Sequence, residues 1–340
     1  MGRAPKRLRG PDRAPGEPSY ASKVSNLVRR APAGKFLSPA AAIQYIQRQK
    51  VQRVYRETPA LDLLGMEDEI SHRVPWLREH GKPVQKTDES TLDQVRDELA
   101  KRTSAEMEPV RVEWIKRNKI LSYFPDEGPL RRELYVRHME CIGHTLTSDE
   151  VLFMAGNRVG KSLLGAYCIA VWTTGRYPHW WHGRVFDRAV TMWIANKSAK
   201  DVRDINEQEL LGPPGDDSAR GTAMLPSHLI NKVTPKPGVP NGSEFIQVRH
   251  ISGDISHLVS KSYDQGRTAF QGRGVDGVWG DEEIDLDTYG ELVPRVMTTE
   301  GILLTTFTPI QGLTPMTAWF IEAAGITLDQ IRNATAKLVQ

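Results

Sequence analysis

The chain has 340 residues, 26% of them charged and 39% apolar, with a formal net charge of +3. That length allows two or three domains and a sizeable core, and no apolar run is long enough to cross a membrane as a helix. The small net charge hides an asymmetry: residues 1–53 hold twelve Lys/Arg against Asp12 and Glu17, so this stretch carries +10 and the remainder −7.

The opening segment is rich in Pro, Gly and Ser as well as basic. It has too little apolar surface to fold alone, so residues 1–38 read as a disordered tail. Such a tail is either a solvated extension or a basic arm for nucleic acid or an acidic partner. Residues 1–30 hold no apolar core of a secretory signal. The two cysteines, Cys141 and Cys168, lack CxxC spacing and clustered His partners, which argues against a disulfide framework or a zinc site and fits a reducing, intracellular setting.

Residues 39–120 read as a helical N-terminal region. Ile43, Ile46 and Val51 share a helical stripe behind Pro39. "DESTLDQVRDELAKRTSAEM" opens with acidic residues and places Leu92, Val95 and Leu99 on one face. No catalytic constellation occurs there. From Tyr123 the texture changes: aromatics, prolines and an Arg pair precede an amphipathic helix.

After Glu150, short apolar strands alternate with helices. "EVLFMAG" reads as a strand, "GKSLLGAYCIAVWTTG" as a helix, "DRAVTMWIAN" as a strand and "AKDVRDINEQELLG" as a helix. "SEFIQVRHI", "SHLVSKSY", "GVDGVWGDEE" and "GILLTTFTP" read as further strands. This alternation predicts an α/β domain over residues 121–320 with a mainly parallel core sheet flanked by helices. The Pro- and Gly-rich segment 212–242 reads as an exposed insertion or flexible loop.

Two motifs carry chemistry. Residues 155–162 (Ala155, Gly156, Asn157, Arg158, Val159, Gly160, Lys161, Ser162) fit a phosphate loop, with alanine at the first glycine position. Strand-to-helix context turns backbone N–H groups toward phosphates. Gly160 permits close approach, Lys161 reaches the terminal phosphates and the Ser162 hydroxyl ligates Mg²⁺. "VDGVWGDEEID" then supplies acids at the end of an apolar strand. Asp281 is placed to hold Mg²⁺ and Glu282 to polarise an attacking water, with Glu283 the weaker candidate for the base. Alternation would put Asp281 and Glu283 on one side unless a turn intervenes. Gly280 interrupts the apolar run. "NKSAKD" has Ala199 where guanine reading needs Asp, so ATP is the expected nucleotide. Hydrolysis is preferred over small-molecule kinase chemistry.

These residues, with "YFPDEGPLRRELYVRHME" upstream and "ILLTTFTPIQG" downstream, resemble the large terminase subunit of tailed bacteriophages over residues 123–317. The resemblance implies a P-loop NTPase of the ASCE, RecA-like type: an ATP-driven motor that moves double-stranded DNA into a procapsid. It implies a homo-oligomeric ring, a portal protein and a small terminase subunit as partners, and action in the host cytoplasm. By resemblance, Arg158 matches an arginine of the phosphate loop, and Thr306, Phe307 and Thr308 match a segment coupling hydrolysis to DNA grip. Tyr135 and His138 occupy the adenine-reading positions, His138 where glutamine is usual; a helix-surface histidine is the competing reading. Arg267 and Arg273, in a glycine-rich loop, are candidates for an arginine acting in trans. Residues 321–340 read as a linker or truncated end, with no nuclease domain and no endonuclease activity expected from this chain. A helicase-like DNA-remodelling ATPase and a nucleotide-binding assembly subunit remain as alternatives.

Overall fold

The computed structural model describes residues 54–310, 312–325 and 327. The basic tail and the helical stripe beginning at Pro39 lie outside them. Three long helices stand near the front of the described chain: α1 (Ala60–Glu79), α2 (Lys86–Ala100) and α3 (Ser104–Arg117). The sequence pattern runs straight through residues 88–107, but the structure breaks it at Thr103. That side chain accepts the Glu106 N–H while the Glu106 carboxylate accepts the Thr103 N–H, a capping box that starts a new helix.

After a single helical turn at Lys119–Ser122, helix α4 (Val136–Thr147) leads into strand β1 (Glu150–Met154). Helix α5 (Lys161–Thr174) follows the phosphate loop, then come β2 (Thr191–Asn196) and a helical stretch over Ala199–Leu211. Within that stretch Val202–Glu207 is π-helical. Strands β3 (Ile230–Pro235), β4 (Ser243–Arg249), β5 (Ile255–Ser262) and β6 (Gly277–Asp281), helix α6 (Leu286–Met297), strand β7 (Ile302–Phe307) and helix α7 (Pro315–Ala323) complete the order.

The seven strands form one sheet in the order β1-β7-β6-β2-β5-β4-β3. The first five are mutually parallel; β4 and β3 add on antiparallel. The expected mainly parallel sheet is present, with a mixed far edge. Strand β3 lies inside the segment expected to be an exposed insertion. That expectation is corrected: Ala223, Met224, Leu225 and Leu229 are buried. Met224 and Leu225 join the core cluster on the sheet, and burial of each contributes on the order of 1–3 kcal/mol.

Helix α5 is apolar all round and almost wholly buried from Leu164 to Thr174, as expected of a central helix. It covers one sheet face together with Trp279, Ile302 and Leu304; Tyr289, Leu292 and Val296 of α6 cover the other with Val278 and Leu303. The helical region is fastened to this core by a buried charge cluster. Asp68 of α1 accepts hydrogen bonds from Arg176, just past the end of α5, and from His228 Nε2 at 2.8 Å. Gly65 allows the close approach, since a Cβ there would meet His228 Cβ at 2.9 Å. No described helix is long and apolar enough to cross a membrane.

Candidate nucleotide site at the carboxyl edge of the sheet

In a parallel sheet every strand ends on the same edge, so β1, β2, β6 and β7 deliver their last residues to one crevice. Residues 155–160 leave the end of β1 there and turn into α5. The turn needs left-handed backbone at two positions: Gly160 has φ 84° and Arg158 has φ 61°. For arginine this costs of order 1 kcal/mol or more, the kind of strain that a functional loop retains. Lys161 and Ser162 open α5, whose first turn has no acidic residue, so the positive end of the helix dipole faces the loop. The Lys161 ammonium donates to the Gly156 carbonyl at 2.7 Å, drawing the loop over itself. Burial lowers the Lys161 pKa, while Asp281 and Glu282 pull it back up.

Register places Asp281 of β6 beside Thr306 of β7. The Thr306 hydroxyl donates to Asp281 Oδ1 at 2.6 Å, and the Ser162 hydroxyl donates to Oδ2 at 2.8 Å. Burial pushes the Asp281 carboxyl up to about 6, against the pull of those two hydrogen bonds; the Glu282 charge pushes the same way as burial. Two hard oxygens, one from a buried carboxylate and one from a hydroxyl at a helix start, suit Mg²⁺, and a cation would favour the ionised carboxylate.

Gly280 interrupts the apolar strand for a steric reason. A Cβ there would sit 2.6 Å from Ile284 Cδ1 and 2.9 Å from the Tyr263 hydroxyl, which itself donates to the Asp281 carbonyl at 3.2 Å.

The strand stops at Asp281. Glu282 adopts φ 67°, so the turn that would separate Asp281 from Glu283 does occur. Glu282 stays in the crevice, its carboxylate 3.5 Å from the Lys197 ammonium, and its N–H donates to the Thr306 carbonyl at 2.8 Å. Glu283 instead accepts from Thr314 near the start of α7, which leaves Glu282 facing the phosphate loop. Lys197 was legible only as part of a failed guanine motif. Its signal is topological: β2 pairs with β6, so the residue after Asn196 lands beside the residue after Asp281.

The end of β7 touches the loop directly. Thr308 donates to Asn157 Oδ1 at 2.9 Å, and the Phe307 carbonyl accepts the Ala155 N–H at 3.3 Å. Phe307 is itself buried.

Beside the loop, α4, β1 and α7 border an open cleft of about 860 Å³ lined by Tyr135, His138, Phe153, Ala155, Val159 and Phe320. His138 is not a surface histidine: it is 8% exposed. Its Nε2 stands 3.4 Å from where a Gly160 Cβ would lie, and burial lowers its pKa against the pull of the Val159 and Gly160 backbone.

The two loop arginines differ in where they sit. Arg267 pairs with Glu291 of α6 at 2.8 Å. Arg273 is exposed ahead of β6, at the sheet edge opposite the phosphate loop. Arg158 is exposed within the loop.

Comparison with known proteins places this architecture. Two solved structures of the large terminase from a thermophilic bacteriophage, one in complex with ADP, are 13% identical over 56% of this chain and 38% of theirs, with a TM-score of 0.35; agreement at that level adds nothing to the strand order. The large terminase subunit of Salmonella phage P22 is 31% identical over 205 residues, which cover 55% of this chain and 41% of that protein. The chain thus spans about two fifths of that relative's length. The family described as terminase large subunit, T4likevirus-type, N-terminal, matches residues 152–339, from the middle of β1 through the phosphate loop, the acids and β7. With over half of its residues matched, the chain belongs to the terminase large subunit family.

Proposed function

We propose that this chain is the ATPase motor portion of a terminase large subunit, coupling ATP hydrolysis to translocation of double-stranded DNA into a procapsid. One observation carries the reading. The phosphate-loop serine, the buried acid and the coupling threonine meet through hydrogen bonds of 2.8 and 2.6 Å at one edge of a parallel sheet. Family membership supports the motor role.

In this reading the backbone of residues 155–162 cradles the phosphates and Lys161 moves from the Gly156 carbonyl onto the terminal phosphate oxygens. Ser162 and Asp281 would hold Mg²⁺, which when bound neutralises charge on the phosphate oxygens. Glu282 orients the attacking water and accepts its proton, and separation from Lys197 frees its carboxylate to do so. The cleft beside Tyr135 and His138 takes the adenine. Thr306, Phe307 and Thr308 carry the change at Asp281 to Asn157 and outward to the DNA grip. Arg158 stabilises the transition state within its own subunit, or Arg267 or Arg273 does so from a neighbour in a homo-oligomeric ring. The portal protein and a small terminase subunit are the proposed partners, and the host cytoplasm is the proposed location.

The test is phosphate release with and without double-stranded DNA. Lys161→Ala should lose Mg·ATP binding. Glu282→Gln should bind ATP and lose turnover by about 10²–10⁴-fold, the contribution of a positioned base. Unchanged hydrolysis in both variants refutes the site. Normal binding with no hydrolysis by the unaltered chain, with DNA present, points to an assembly subunit instead.

A further inference from the structure

Behind the acid lies a contact that the reaction scheme above does not use. Trp279 is two residues before Asp281 on β6, and the two side chains share the face of the sheet that α5 covers. Trp279 is fully buried, and its indole N–H donates to the Thr306 hydroxyl at 2.9 Å. An indole nitrogen can only donate, so the Thr306 oxygen accepts from it and has one proton left to give. That proton goes to Asp281 Oδ1, 2.6 Å away. The ring is also wedged against α5. A Cβ on Gly165 would fall 2.2 Å from Trp279 Cε2 and Nε1. Gly165 stands four residues after Lys161 and three after Ser162, on the same helical face.

We propose that Trp279 is a positioning residue for hydrolysis: its N–H locks the Thr306 hydroxyl toward Asp281, and its ring sets the spacing between that carboxylate and the start of α5. The indole therefore links the coupling strand, the acid strand and the phosphate-loop helix in one rigid unit. Gly165 is the matching requirement on the helix. The inference rests on the hydrolytic reading of the site.

Trp279→Phe keeps an aromatic ring but removes the donor and the part of the indole that packs against Gly165. Turnover should fall roughly tenfold, while the KM for ATP stays within about threefold, because the lost alignment acts in the transition state. More Mg²⁺ should be needed for half-maximal rate. Thr306→Val should fall similarly, and Trp279→Phe should slow Thr306→Val by clearly less than it slows the unaltered chain, because the hydrogen-bond part of the effect is already gone. Thr306→Ser, which keeps the hydroxyl, should retain most of the rate. Independently of nucleotide, the Trp279 indole ¹H–¹⁵N resonance, identified by its loss in Trp279→Phe, should move in Thr306→Val and stay near its place in Thr306→Ser. Additive losses, normal turnover in Trp279→Phe, or an unmoved indole resonance overturns the proposal. A chain that hydrolyses no ATP but shows the indole shift refutes the hydrolytic reading and leaves the hydrogen bond standing.

Discussion

Removing the Asp68 carboxylate is the most informative perturbation of the fold, because it separates the helical region from the nucleotide domain at one point. Asp68 is the shared acceptor for Arg176 and His228. The Arg176 side chain is only 3% exposed, so Asp68→Ala leaves a guanidinium buried without a counter-ion. Breaking one partner of such a pair costs about 3–5 kcal/mol, against a total stability of about 5–15 kcal/mol for a typical domain. At roughly 2–4 °C per kcal/mol for a domain of this size, the midpoint should fall by about 6–20 °C. Urea unfolding measures the free energy directly, and thermal unfolding by circular dichroism gives the midpoint. Asp68→Ala combined with Arg176→Met should recover much of the loss, since the stranded charge goes with its partner. A loss below about 1 kcal/mol in the single variant, or no recovery in the double, would mean that the cluster is not what fastens α1 to α5.

The same carboxylate predicts an acid limb. Burial raises its pKa, but the hydrogen bonds from His228 and Arg176 and their charges outweigh burial and hold it at about 2 rather than 3.8. A depressed pKa contributes stability above the unfolded value, so stability should decline as pH falls from about 4 to about 2, with a shallower slope in Asp68→Asn measured by urea titration at each pH. Deleting residues 1–35 should leave basal ATP turnover unchanged and flatten the salt dependence of DNA association, because fewer phosphates are neutralised; identical slopes would assign the tail to solvent. In mixed assemblies, Arg267→Ala or Arg273→Ala subunits should regain hydrolysis with Glu282→Gln partners if either arginine acts in trans. Failure of both to complement would leave Arg158 as the arginine of the site.

The sequence by itself determined the local chemistry. Ala155 to Ser162 could be read as a phosphate loop because its demands are short-range: an apolar strand, a glycine free to take a left-handed φ, then an apolar helix. The parallel core followed from strand–helix alternation for the same reason, and Asp281 and Glu282 from their place at a strand end. What joins distant strands was not legible. Lys197 meets Glu282, and Trp279 and Ser162 meet Thr306 and Asp281, only because β2, β6 and β7 lie side by side in register, and no local pattern encodes that adjacency. The placement of Glu282 depends on its leaving the strand through a positive φ, a conformation that propensity does not anticipate for glutamate. Segment 212–242 misled for the complementary reason: its turn residues are local signals of irregular backbone, whereas burial of Met224 and Leu225 is set by the sheet they cover. His138 illustrates the same limit. Its helix could be read from spacing, but whether its ring faced solvent or the underside of the phosphate loop was decided by how α4 packs against β1.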